Sequence, residues 1–137
     1  MLGGVGNPGR GLYQSDYWRW LHYTRNVTAV SSVCMVVRRE VFESVGGFDE
    51  AFSSDYADAD FCLRLRELGL EVILEQRATL VHEGTRPAAS REEQERFRKK
   101  WAKLLASTDP YFSPHLRLDR EDTSLLIGSA SAGSSRQ

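Results

Sequence analysis

Val45-Gly46-Gly47-Phe48-Asp49-Glu50, followed after a short loop by Asp58-Ala59-Asp60-Phe61-Cys62-Leu63-Arg64-Leu65, decides how this chain is read. The first stretch ends one helix and turns; the second opens another. Residues 38–45 place Val41, Phe42 and Val45 on one helical face. Gly46 falls just past that helix, where a left-handed backbone suits glycine. Gly47 leaves room for close backbone approach. Phe48 is then an apolar plug, and Asp49 and Glu50 are acids beyond the turn. Ser53, Ser54 and Asp55 supply the next N-cap, with Asp58 three residues after Asp55 at the capping-box offset. Phe61, Leu65 and Leu68 recur at i, i+4 and i+7, joined by Cys62. Residues 57–68 are therefore expected to form an amphipathic helix, ended by Gly69.

Upstream, residues 26–37 (NVTAVSSVCMVV) are β-branched and apolar, the pattern of a buried strand with a kink at Ser31 and Ser32. Residues 1–11 hold five glycines and one proline, a loop composition. No Gly-Lys-Ser/Thr follows them, so they do not read as a phosphate loop. Residues 13–23 are rich in tyrosine and tryptophan. Such rings suit either core packing, their commoner use, or stacking on a sugar or base. Downstream, residues 71–75 and 78–81 read as short strands, the second running into His82 and Glu83. Ser90 caps a charged helix whose Phe97, Trp101, Leu104 and Leu105 share one face. Residues 109–114 are turn-rich. The small polar residues 128–137 predict a disordered tail.

The chain of 137 residues is long enough for one domain and one core. With a formal net charge of −1 it carries no global field toward nucleic acid. Cys34 and Cys62 fit no zinc spacing and no disulfide framework; both are expected to be buried thiols in a reducing compartment. No apolar run reaches the length of a transmembrane helix, and the start has no signal-peptide h-region.

On local grounds Asp58 and Asp60 are acids in a first helical turn, favoured by the helix dipole, and Asp60 can pair with Arg64 at i, i+4. His82 alone reads as a surface or satisfied histidine. Taken together, a strand-end histidine and a helix-start aspartate can converge at a sheet edge, where α/β folds bind ligands. There a carboxylate can serve as a general base and a neutral imidazole as a metal ligand.

These residues carry a resemblance. The run from Asn26 to Gly84, with its RR-x-x-F helix, GGFDE turn, D-x-D-x-x-x-R-L helix and downstream His-Glu, resembles the acceptor-side half of family 2 inverting glycosyltransferases of the GT-A fold. It is most similar to bacterial rhamnosyltransferase-like members of O-antigen or polysaccharide biosynthesis. The resemblance covers residues 25–127, leaving 1–24 as lead-in and 128–137 as tail. It implies an α/β fold, the C-terminal part of a nucleotide-diphospho-sugar transferase. It also implies roles: Asp58 as general base, His82 as ligand of a divalent metal (Mn²⁺ or Mg²⁺), Gly47, Phe48, Asp49 and Glu50 lining the substrate pocket, and Arg86 near the diphosphate. The donor would be a nucleotide-diphosphate sugar and the acceptor a saccharide or lipid-linked hydroxyl, in the cytoplasm or at the inner face of the membrane.

Two departures matter. Ala57 stands where the family often has an acid or Asn. The N-terminal nucleotide-binding half, with its Asp-x-Asp metal motif, has no counterpart in residues 1–24. The resemblance therefore predicts a fragment with little turnover alone, one that needs a donor-binding half and leaves an apolar face uncovered. Two other classes compete with it: a non-catalytic interaction module derived from the same fold, and a metal-dependent hydrolase using Asp58 and His82.

Overall fold

The computed structural model describes residues 23–85, 88–113 and 115–116. The lead-in to residue 22, Arg86 and the 128–137 tail lie outside the described residues. The elements run β1 (Arg25–Asn26), a 3₁₀ turn (Ser32–Cys34), α1 (Arg39–Ser44), α2 (Asp55–Glu67), β2 (Ile73–Leu74), α3 (Arg91–Lys100) and α4 (Ala102–Leu105). The two strands pair antiparallel, with Arg25 opposite Leu74 and Asn26 opposite Ile73.

Helix α1 ends as its glycines require. Gly46 and Gly47 have φ of 75° and 69°. The Gly46 N–H donates to the Glu43 carbonyl and the Gly47 N–H to the Phe42 carbonyl. This crossed pair is the Schellman arrangement, which satisfies carbonyls the helix would leave without partners. What comes close to Gly47 is a side chain and not backbone, contrary to expectation: a Cβ there would lie 3.0 Å from the Phe42 ring. Phe48 is 38% exposed, so it is a partly open lid more than a plug. Its ring lies 5.5 Å from Phe42 and 5.0 Å from Phe61, centroid to centroid.

Helix α2 is the centre of the molecule. Ser54, not Asp55, is its N-cap, and the Ser54 hydroxyl accepts from the Tyr56 N–H. Its other end repeats the crossed pair, with Gly69 N–H to the Arg66 carbonyl and Leu70 N–H to the Leu65 carbonyl. The expected apolar stripe is too narrow. Asp58, Ala59, Asp60, Phe61, Cys62 and Leu63 are all buried in succession, whereas Leu68 is 59% exposed. Such a run covers every side of a helix, because α2 is enclosed and does not lie on a surface. Phe52, Tyr56, Ala59 and Leu63 form the main core with Phe97 of α3 and Trp101. The expected single helix after Ser90 is divided at Trp101, whose ψ of 19° marks the break between α3 and α4.

A carboxylate joins α2 to α3. Ser90 caps α3 by accepting from the Glu93 N–H. Glu93 Oε1 accepts in turn from the Ser53 N–H at 2.7 Å and the Ser54 N–H at 3.0 Å. Burial pushes the Glu93 carboxyl up. The N–H groups of Ser54, Ser53 and Ser90 and the Ser54 hydroxyl outweigh it, and the net effect is a lowered pKa.

The strands depart most from expectation. The buried strand over 26–37 is two residues of ladder, one further bond from the Val27 N–H to the Val72 carbonyl, and then the 3₁₀ turn. The chain leaves the ladder because Ser31 caps the turn and Asp58 accepts the Ser32 N–H. Residues 78–81 form no strand, and Leu80 and Val81 are 68% and 90% exposed. The Glu75 carboxylate accepts from the Arg77 N–H, and the Ala78 N–H bonds the Glu75 carbonyl. This turn carries the chain away from β1, the partner a longer strand would need. Val36, at 98% exposure, and Ile73, at 54%, add to the uncovered apolar surface. Val27, Val30, Leu63, Leu70, Leu104 and Phe112 help line a cavity of about 900 Å³.

Because folding depresses the Glu93 pKa, its stabilisation is fully present above the unfolded carboxyl value, about 4.3, and fades as pH falls through the lower folded value. Glu93→Gln is expected to cost about 1–2 kcal/mol at pH 7 in urea unfolding. The gap between variant and parent should narrow progressively as pH falls below the unfolded carboxyl value and close only below the lower folded value.

Candidate active site

The two acids of the D-x-D stretch have different surroundings. Asp58 lies in the first turn of α2 and is 5% exposed. Its Oδ2 accepts from the Ser32 N–H at 2.9 Å and, more weakly, from the Ser31 hydroxyl at 3.4 Å. The Ser31 hydroxyl also accepts from the Val33 N–H. One turn further along α2, the Cys62 thiol donates to the Val30 carbonyl at 3.8 Å. The 3₁₀ turn is thereby pinned to the helix at two heights. Ser31, Val33 and Cys34 are themselves exposed.

Asp60 is fully enclosed, at 0% exposure. Oδ2 accepts from Arg64 Nε at 2.8 Å. Oδ1 accepts from Trp101 Nε1 at 2.9 Å and is paired with Lys100 Nζ at 2.7 Å. The same guanidinium donates to the carbonyls of Val45 and Gly47. Arginine suits this post because its planar fork holds several acceptors at once. Lys100 also reaches Asp49 Oδ2 at 2.9 Å. Burial of Lys100 pushes its pKa down, and the bonds to Asp60 and Asp49 more than reverse that. The Lys100 ammonium and the Ala51 N–H hold Asp49 below the usual carboxylate range. The expected i, i+4 pair of Asp60 with Arg64 is present, inside a larger network.

That network changes the standing of the GGFDE residues. Gly47 is closed by the Phe42 ring, and Asp49 is engaged by Lys100 and by its own turn. Phe48 is half-open, and Glu50 is exposed. Of the four predicted pocket residues, Phe48 and Glu50 present the more open side chains. His82 is exposed and belongs to no strand. Arg86 lies outside the described residues. Among the described residues no group of three His, Cys, Asp or Glu side chains is placed to hold a metal ion. Cys62 is buried as expected, with burial raising its thiol pKa, but Cys34 is exposed.

Sequence reasoning missed Glu93, Lys100 and Trp101 as partners of this region. The Ser90-x-x-Glu93 spacing was a legible capping signal. The partners across 40 residues had no local signal.

Over 110 residues the chain is 37% identical to the O-antigen biosynthesis protein RfbC of Myxococcus xanthus, covering 75% of this chain and 8% of that protein. Over 135 residues it is 33% identical to the uncharacterized protein y4gI of Sinorhizobium fredii (strain NBRC 101917 / NGR234), covering 88% of this chain and 15% of that protein. The chain thus spans a small part of the length of either curated relative. No protein-family model matches the chain, and no solved structure does. Among the described residues no helix is long and apolar enough to cross a membrane.

The two acids are expected to respond differently to the same change. Asp58→Asn keeps an oxygen that accepts the Ser32 N–H and should cost less than about 1 kcal/mol in urea unfolding. Asp60→Asn leaves Arg64 and Lys100 without their shared carboxylate and should cost about 3 kcal/mol or more.

Proposed function

We propose that this chain is the acceptor-side part of an inverting glycosyltransferase of GT-A type, acting in cell-surface polysaccharide biosynthesis. The single observation that carries the reading is Asp58: a buried carboxylate at the start of α2 that accepts the Ser32 N–H of the adjoining turn. Similarity to an O-antigen biosynthesis protein supports the substrate class. The donor is a nucleotide-diphosphate sugar and the acceptor a saccharide or lipid-linked hydroxyl.

The chemistry is one displacement. The acceptor oxygen forms a bond to the anomeric carbon as the bond from that carbon to the diphosphate breaks. Asp58 takes the proton that the hydroxyl loses, which raises the nucleophilicity of the oxygen as it attacks. Asp60 cannot share this work, since both its oxygens are engaged by Arg64, Trp101 and Lys100. The donor site belongs to another segment, a donor-binding half that packs with this one. His82 would contribute a single metal ligand from this chain.

A second reading, a non-catalytic module of the same fold, competes with it. The two separate in bacteria that encode the chain. Asp58→Asn at the chromosomal locus is expected to reduce the surface polysaccharide to the level of a gene deletion, with the protein at normal abundance. Polysaccharide at the parental level in Asp58→Asn, with loss in the deletion, favours the module and removes the base.

A further inference from the structure

Three side chains of α3 meet the chain that leads from the GGFDE turn into α2. Glu93, Arg96 and Lys100 stand at i, i+3 and i+7, a spacing that keeps them in one stripe along the helix. Glu93 Oε1 accepts the Ser53 and Ser54 N–H groups. Arg96 Nη1 donates to the Ala51 carbonyl at 2.6 Å. Lys100 Nζ reaches Asp49 Oδ2 at 2.9 Å. As the helix number rises the loop number falls, so residues 49–54 run antiparallel to α3 and are held at successive heights.

The loop closes without all of these bonds. Asp49 accepts the Ala51 N–H on Oδ1 and the Phe52 N–H on its carbonyl, which makes residues 49–52 a turn bonded to itself. The glycine-closed end of α1 fixes one side of it and the Ser54 cap the other. A turn closed by its own bonds can still pivot as a unit on the backbone at either side. Arg96 and Lys100 hold that pivot from outside. What the turn carries is open: Glu50 is exposed within it, and Phe48, 38% exposed, directly precedes it. The Phe48 ring lies 5.0 Å from the ring of Phe61, and Phe61 neighbours Asp58 on α2 at i, i+3. The tilt of the turn therefore sets how Phe48 and Glu50 stand relative to Asp58.

We infer that Arg96 and Lys100 are positioning residues, which hold the turn at residues 49–52 so that Phe48 and Glu50 meet the acceptor beside Asp58. The inference rests on the glycosyltransferase reading above, with Asp58 as base, and adds to it the helix that sets the acceptor wall. A small misplacement of a substrate-holding group is enough to lower a rate by one or two orders of magnitude. Arg96 is the cleaner residue to change. Lys100 also neutralises the buried Asp60, whereas the Arg96 bond to Ala51 lies at the surface. Methionine keeps an aliphatic stem and removes the donor. Lysine keeps a cationic donor, which suffices for a single carbonyl acceptor.

Two measurements test the inference. In the full 137-residue chain, Arg96→Met should accelerate hydrogen exchange at the Ala51 and Phe52 amides at least about fivefold. The urea midpoint should stay within about 0.5 M of the parent. Unchanged exchange at both amides overturns the hold on the turn, and a larger shift of the midpoint shows that Arg96 acts on the whole fold instead. In cells carrying the substitution at the locus, Arg96→Met should lower surface polysaccharide about fivefold or more at normal protein abundance, and Arg96→Lys should remain within about twofold of the parent. If Asp58→Asn abolishes the polysaccharide and Arg96→Met leaves it unchanged, or if Arg96→Lys loses as much as Arg96→Met, the positioning role is wrong while the glycosyltransferase reading stands. If Asp58→Asn leaves the polysaccharide intact, that reading itself fails and takes this inference with it.

Discussion

Asp60 is the residue on which the rest of this structure depends. A carboxylate at 0% exposure carries a large desolvation cost unless its oxygens are met by charged or polar donors. Arg64, Lys100 and Trp101 meet them, and each belongs to a different part of the chain or ties one in. Arg64 carries the contact to the GGFDE turn through the Val45 and Gly47 carbonyls. Lys100 carries it to Asp49, and Trp101 to the core that α2 shares with α3. One buried charge thus sets the positions of α1's end, α2 and α3. Removing any partner leaves the others with an unmet charge, so the region should behave as a unit.

The neighbouring acid is held differently. Asp58 lies two residues before Asp60 and would be read as its twin, yet its Oδ2 accepts from the backbone of a turn, the Ser32 N–H. The helix they share is held at its start by Glu93 and at its end by the Gly69 turn, so Asp58 has a fixed mount. The proposed chemistry uses that separation: one acid holds the frame, the other meets the substrate.

Local features were legible where the physics is local. The glycine-closed end of α1, the extent of α2, the capping by Ser90 and the Asp60–Arg64 spacing all follow from residues within a few positions of each other. The strands were not. Residues 26–37 and 78–81 have strand-like composition, but a strand requires a partner, and the Glu75 turn and the Asp58 contact decide that the ladder stops after two residues. Composition cannot report a hydrogen bond offered from 26 residues away. The same holds for the site. The resemblance singled out Asp58, and the structure places it buried in the first turn of α2. The occupation of Asp49 by Lys100, the exposure of His82 outside any strand and the role of Glu93 all depend on long-range packing.

The division of labour between the two acids is tested most directly by a double-mutant cycle. Asp60→Asn, Arg64→Gln and the combined variant would be compared with the parent by urea unfolding at pH 7. The account predicts a coupling energy of about 1.5 kcal/mol or more, as for a desolvated, charge-assisted pair. A coupling near zero would contradict it and return Asp60 to the rank of an ordinary helix acid.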